Sequence, residues 1–344
     1  MTSLSNLVRG IAIAAVFSLA AAAQPPLPDA VARAKQSFID RMVEKHDFDR
    51  AELTSLLDAA VIDNVVLETM ARPAERVVPW FEYRNIFITE ERIAAGVVFW
   101  NEHAETLDAV SERYGVAPEM IVSIIGIETY FGTRMGRYRV LDALATLAFA
   151  YPPRASFFSS ELEAFLLLAR EEQVDVTTAL GSYAGAMGAG QFIPSSYRAY
   201  AVDANADGKR DLWSDWHDVF GSVANYFDKH GWRAGEPVME SALRPVGFEG
   251  PEPRNALELG ETVGSLTRMG YVFTTSLPSD APAQAFSYEA ESGGSEYWVG
   301  YHNFRVVTRY NRSTKYALAA HQLAQAVRGR YTATFASNVG STGE

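Results

Sequence analysis

Met120 to Ile127, "MIVSIIGI", is a run of eight residues without a charge, and it stops on a lone acid, Glu128. Pro118 suits the first turn of a helix, where its missing N–H costs nothing, and Gly132 suits a stop. The stretch therefore reads as an apolar helix with Glu128 in its last turn. Such a helix needs a core to lie in, and 344 residues are enough for two or three packed layers without staples. Apolar neighbours disfavour the carboxylate, and so does the partial negative charge at a helix C-terminus. Both effects raise the pKa and help keep the acid protonated near neutral pH. A general acid that protonates a glycosidic oxygen needs that environment. Taken by itself, the stretch favours the plainer alternative, an acid that ends the helix and points into water.

The N-terminus is a separate segment. Arg9 precedes a charge-free run, Gly10 to Ala23, that closes on Ala21-Ala22-Ala23 before Gln24-Pro25-Pro26. A membrane span needs about 18 or more apolar residues, so the shorter run with a small-residue end predicts a secretory leader over 1–23, cleaved after Ala23. The chain has no cysteine, which excludes a cysteine-linked lipid, disulfides and thiolate zinc sites. The expectation is a soluble, exported protein without a stable membrane anchor. Net charge is −12, or −13 once the leader and its Arg9 are gone. That balance argues against nucleic acid, whose backbone is bound through basic patches. A neutral sugar backbone remains open to it.

Helical patterns fill residues 24–114, as in "DRAELTSLLDAAV", where Asp49 can cap, and "VVPWFEYRNIF" interrupts them. A helical core section follows over 115–236. Residues 237–300 are richer in Pro, Gly and Ser, with β-like runs at "YVFTT" and "SEYWVGYHNF", and read as a small β-containing domain. Over 301–330 the chain returns through a strand at "FRVVTRY" and a last helix, Ser313 to Val327. The Ser/Gly-rich end, 331–344, reads as a disordered tail.

Two further stretches carry chemistry. "GSYAGAMGAGQFIPSSY", Gly181 to Tyr197, has small residues that let backbone approach closely, with Ser182, Tyr183 and Gln191 as polar groups. It lacks the Gly-Lys-Ser/Thr of a phosphate loop and the spacing of a dinucleotide fingerprint. A ligand loop and a tight structural turn are equally good readings. "DANADGKRDLWSD" alternates Asp203, Asn205 and Asp207, places Gly208 at the sharp turn and has Asp211 ninth, as in an EF-hand loop. Its twelfth residue is Ser214, one short of Asp215. The pattern predicts a structural Ca²⁺ held by Asp203, Asn205, Asp207, the Lys209 carbonyl and Asp215; an Asx-rich loop without metal is the alternative. No close histidine pair suggests catalytic zinc, and no Gly-x-Ser-x-Gly elbow is present.

Together "IETYFGTRMGRYRVLDALATLAF", "YPPRASFF", "GSYAGAMGAGQFIPSSYRAYAVDANADGKRDLW", "GSVANYFDKHGW" and "RYNRSTKYALA" resemble the membrane-bound lytic murein transglycosylase B family. The resemblance covers most of Phe81 to Val327 in the same order, and the Gly181–Trp213 block is highly specific. It implies a mainly α (α+β) fold, with a lysozyme-like helical core, an additional helical domain and a small β domain around a peptidoglycan groove. It implies that Glu128 is the catalytic acid and later the base, with Ser182, Gln191, Tyr310, Asn311 and Tyr316 in the site. Tyr83, Arg154 and Phe192 would line the groove. The EF-hand-like loop, with its late acid, is also a family feature. Two departures stand out: the family's lipidated cysteine is missing, and Pro153 stands where a second basic residue is expected.

The implied reaction cleaves the β-1,4 bond between N-acetylmuramic acid and N-acetylglucosamine and leaves a 1,6-anhydro ring, which needs one acid. A hydrolytic muramidase would need a second acid. A catalytically silent peptidoglycan-binding protein would need neither. The expected setting is a periplasmic monomer acting on glycan strands, with cell-wall synthesis proteins as possible partners and no organic cofactor.

Overall fold

A computed structural model describes residues 28–71 and 78–340; the expected leader lies outside them. In chain order these residues form α1 (Pro28–His46), α2 (Arg50–Asp58), α3 (Asn64–Ala71), α4 (Trp80–Phe87), α5 (Glu90–Glu102), α6 (Ala104–Tyr114), α7 (Pro118–Thr129), β1 (Tyr138–Arg139), α8 (Val140–Ala150), α9 (Ala155–Glu172), β2 (Leu180–Gly181), α10 (Pro194–Tyr200), α11 (Trp216–Lys229), β3 (Met239–Ala242), β4 (Glu261–Thr262), α12 (Val263–Arg268), β5 (Pro282–Glu289), β6 (Ser295–Gly300), α13 (His302–Tyr310) and α14 (Thr314–Gly340). Two compact units share them, one built from 78–131 and 220–340, the other from 28–71 and 132–219, with the division falling inside α11.

In the first unit α7 is buried from Glu119 to Thr129. It packs against α5, α6 and α14. Ile121, Val122, Ile124 and Ile125 have no exposed surface, and each such side chain contributes about 1.5–3 kcal/mol by leaving water. Ser123 Oγ donates to the Ala320 carbonyl at 2.7 Å, which satisfies the one hydroxyl in the run and ties α7 to α14. Gly126 gives the Phe131 ring room to fold back on the helix, since a Cβ there would stand 2.7 Å from the ring.

The same unit holds a four-stranded antiparallel sheet of order β3-β6-β5-β4. One face packs on α12 through Val263 and Leu266, with Ala283, Ala285 and Val299 from the strands and Tyr301 just beyond β6. The expected β-like run "SEYWVGYHNF" supplies β6, but "YVFTT" contributes only a bridge from Val272 to Leu243. The expected return strand is a helix, α13: Phe304, Val306, Val307 and Thr308 are buried while Arg305 and Arg309 are not, a helical rather than alternating period. Its β-branched residues, Val306, Val307 and Thr308, carry a strand propensity that this burial overrides. Of the expected tail at 331–344, residues 331–340 continue α14, which runs to Gly340, and 341–344 lie outside the described residues. An Arg330–Glu90 ion pair at 2.5 Å and a Tyr331–Trp100 stack at 4.5 Å hold its extension on the body of the unit.

In the second unit α8 is buried at every residue but Asp142 and packs against α1, α3 and α9. Asp49 caps α2 as expected, accepting the Glu52 N–H at 2.8 Å. Glu163 on α9 takes Arg41, Lys45 and His46 of α1; burial opposes its charge, but the Lys45 and His46 contacts outweigh it and draw the carboxyl down to about 2.

Candidate active site

Glu128 sits in the last turn of α7, whose end is set by two successive left-handed residues, Tyr130 (φ 51°) and Phe131 (φ 58°). Both N–H groups return to the Ile125 carbonyl. That termination leaves Glu128 only 9% exposed, with its carboxyl Oε2 buried and not in water. Its Oε1 accepts the Tyr316 hydroxyl at 2.6 Å. Its Oε2 meets no protein hydrogen-bond partner among the described residues. Burial pushes the acid up to about 8, against the pull of the Tyr316 bond, which favours the ion. At neutral pH the group therefore holds its proton, with one oxygen already committed.

Three phenols share this environment. Tyr83 on α4 is raised by burial and by the charge of Glu128. Tyr310, the last residue of α13, and Tyr316, in the first turn of α14, are both driven well above the ordinary tyrosine value by burial and by Glu128. They stay neutral donors. Short chain geometry places the last two: Ser313 Oγ accepts the Tyr316 N–H, and Asn311 ends α13 between them. Asn311 is 8% exposed and its Oδ1 has no partner among the described residues. The structure thus gathers Glu128, Tyr83, Tyr310, Asn311 and Tyr316 in the first unit. Among the described residues no other carboxylate contributes to the shift on Glu128.

The remaining candidates belong to the second unit. Ser182 Oγ accepts from the Ala184 and Ala186 N–H groups, which closes the glycine-rich loop on itself. Gln191 stands at φ 53° and donates to the carbonyls of Met135 and Gly188. Phe192 is nearly fully buried, at 3% exposure, and its backbone pairs with Met187. Gly188, at φ 70°, must be glycine because a Cβ would run into the Leu212 carbonyl. Arg154 follows the Pro152–Pro153 turn, with its guanidinium 4.3 Å from the Phe157 ring centre. Burial lowers its pKa, while Tyr151, Glu161 and Tyr183 support its charge.

In the EF-hand-like loop the expected donors face the loop's own backbone. Asp203 accepts the Asp207 and Gly208 N–H groups, Asn205 accepts that of Asp207, and Asp207 accepts that of Lys209. The Asn205 amide donates to Asp215 at 2.7 Å. Among the described residues no three His, Cys, Asp or Glu side chains are gathered as metal ligands. The donor chemistry nevertheless suits a hard cation: carboxylate and amide oxygens at alternate positions, with Gly208 at φ 91° for the turn. Sequence reasoning missed Asp218. It is fully buried in the first turn of α11 and accepts the N–H groups of Ala204 and Asp211, each at 2.8 Å, so it anchors both ends of the loop. Its place three residues after Asp215 was the available signal.

Comparison with known proteins identifies the family. The family profile described as Transglycosylase SLT domain matches residues 30–325. Membrane-bound lytic murein transglycosylase B of Escherichia coli is 46% identical over 302 residues, 85% of this chain and 82% of that protein. The catenated lytic transglycosylase SltB1 of Pseudomonas aeruginosa has 46% identity and a TM-score of 0.81, over 89% of this chain and 99% of that one. The E. coli lytic transglycosylase Slt35 in complex with calcium has 41% identity and a TM-score of 0.79, over 96% and 100%. The chain belongs to the transglycosylase SLT family, with the α+β, lysozyme-like fold of its lytic murein transglycosylases.

Proposed function

We propose that the chain is a murein lytic transglycosylase that works with Glu128 as its single acid and base. The observation that carries this is a buried carboxyl group with its pKa raised to about 8 by burial, with no second carboxylate among the described residues contributing to that shift. Protonated Glu128 gives its proton to the oxygen between N-acetylmuramic acid and N-acetylglucosamine, and the C1–O bond breaks. The substrate's N-acetyl group supports the anomeric centre. The ionised Glu128 then takes the proton of the C6 hydroxyl, O6 closes on C1, and the acid is restored as the 1,6-anhydro ring forms. Tyr316 steadies the carboxylate during the interval in which it is charged, and Tyr83, Tyr310 and Asn311 offer neutral hydrogen bonds to the substrate. Ser182, Gln191, Phe192 and Arg154 contribute to glycan binding in this reading.

Digestion of purified sacculi tests it directly. Mass spectrometry should find anhydro-muropeptides, and reducing ends throughout would mean hydrolysis instead. Glu128→Gln should remove at least about three orders of magnitude of turnover with the fold intact, since the proton transfer and its reversal both go with it. The Asp203–Asp215 loop is proposed to take Ca²⁺ through Asp203, Asn205, Asp207, the Lys209 carbonyl and Asp215, in a structural role. The place of action is the periplasm.

A further inference from the structure

Pro118 and Glu128 stand at opposite ends of α7, about 15 Å apart along its axis. Around the Pro118 end, within the first unit, lies an open depression of about 450 Å³ that has no part in the chemistry above. Four elements meet there. Trp100 of α5 is buried, and Tyr331 of α14, partly exposed, stacks on it with the rings 12° from parallel. Glu119 of α7, 8% exposed at its side chain, pairs with Arg328 of α14 at 2.9 Å. Ser111 of α6 and Thr332 of α14 add hydroxyl groups. The volume falls within the range of small-ligand pockets.

The lining selects by chemistry. Its one cation and its one anion are paired with each other, so neither an anionic nor a cationic ligand gains a free counter-charge. What remains is an aromatic surface beside hydroxyl, carboxylate and guanidinium groups that can exchange hydrogen bonds. A sugar ring offers the matching surface, apolar C–H bonds on one face and hydroxyl or amide groups at its edge. We propose that this depression is a second, non-catalytic site for N-acetylhexosamine units, which holds the enzyme on its polymer. The proposal rests on the reading that murein is the substrate. Two weak sites on one polymer raise the apparent affinity for long strands and leave short ones unaffected.

The test separates polymer from fragment. Tyr331→Ala removes the partly exposed ring of the Trp100–Tyr331 pair, and Thr332→Trp fills the depression from an exposed helix position. In the full chain carrying Glu128→Gln, either substitution should weaken co-sedimentation with insoluble sacculi at least fivefold. In the otherwise native enzyme, the same substitutions should leave turnover of a soluble muropeptide tetrasaccharide within twofold. Unchanged binding of Thr332→Trp to sacculi overturns the proposal, and so does a loss of tetrasaccharide turnover in step with sacculus binding. Because the sedimentation needs no turnover, an absence of anhydro products would sink the catalytic reading alone.

Discussion

Glu128 gives up one hydrogen bond, at Oε2, and the hydration of its charge in order to stay protonated where carboxyl groups are normally ionised. The cost has a definite pH signature. Folding raises its pKa from 4.5 to about 8, so the folded chain keeps a proton that the unfolded chain releases between those values. The stability this confers is complete below pH 4.5 and is lost as pH rises through 8. Glu128→Gln, which cannot ionise, should therefore be the more stable protein at pH 8 and above, by a few kcal/mol at most, and equal to the native chain near pH 4. Denaturant titrations at the two pH values check this. Tyr316 pulls the other way by bonding to the ion at 2.6 Å. Tyr316→Phe should shift the alkaline limb of kcat/KM upward by roughly one unit, as expected from losing a charge-assisted bond of about 1.5 kcal/mol or more. An unmoved limb would remove Tyr316 from the proton's environment.

Among elements, α7 bears the tightest constraint. Phe131 turns back across Gly126, with its ring atoms 2.7 and 2.8 Å from where a Cβ would be. Gly126→Ala gains up to about 1 kcal/mol in helix propensity and loses roughly 1–3 kcal/mol to overpacking. The urea midpoint should therefore fall, and Phe131→Leu in the same chain should restore part of it. The bounds of α7 were readable because Pro118, the uncharged run and Gly132 are local signals, as was the Asp49 cap of α2. The loop at Asp203 was readable for the same reason, by spacing alone. "FRVVTRY" misled because its β-branched residues outweighed a helical period only seven residues long. β3 carried little signal because its strand is defined by a partner, Met239 opposite Gly300, that lies 61 residues along the chain. The grouping of Glu128 with Tyr83, Tyr310 and Tyr316 has no local signature at all. Only the family resemblance suggested it.

At the scale of the molecule, each unit is drawn from two separated segments of chain. The proposed calcium loop lies in only one of them, the unit of 28–71 and 132–219. Calcium at one hundred times its Kd would add about 2.7 kcal/mol to that unit alone. Chelation should therefore bring its unfolding to lower temperature in calorimetry and move it apart from the other unit's. No heat on titrating Ca²⁺ into the chelated protein, with no change in melting, would end the assignment. The other unit has a different dependence. Glu128 and Tyr316 touch across 188 residues of sequence, and Ser123 reaches Ala320 across 197. A chain still emerging in synthesis carries the acid long before it carries the wall that encloses it. Until α14 docks, the carboxyl group is an ordinary surface glutamate, ionised and unable to donate, so an unfinished molecule is inert toward the polymer it will later cut.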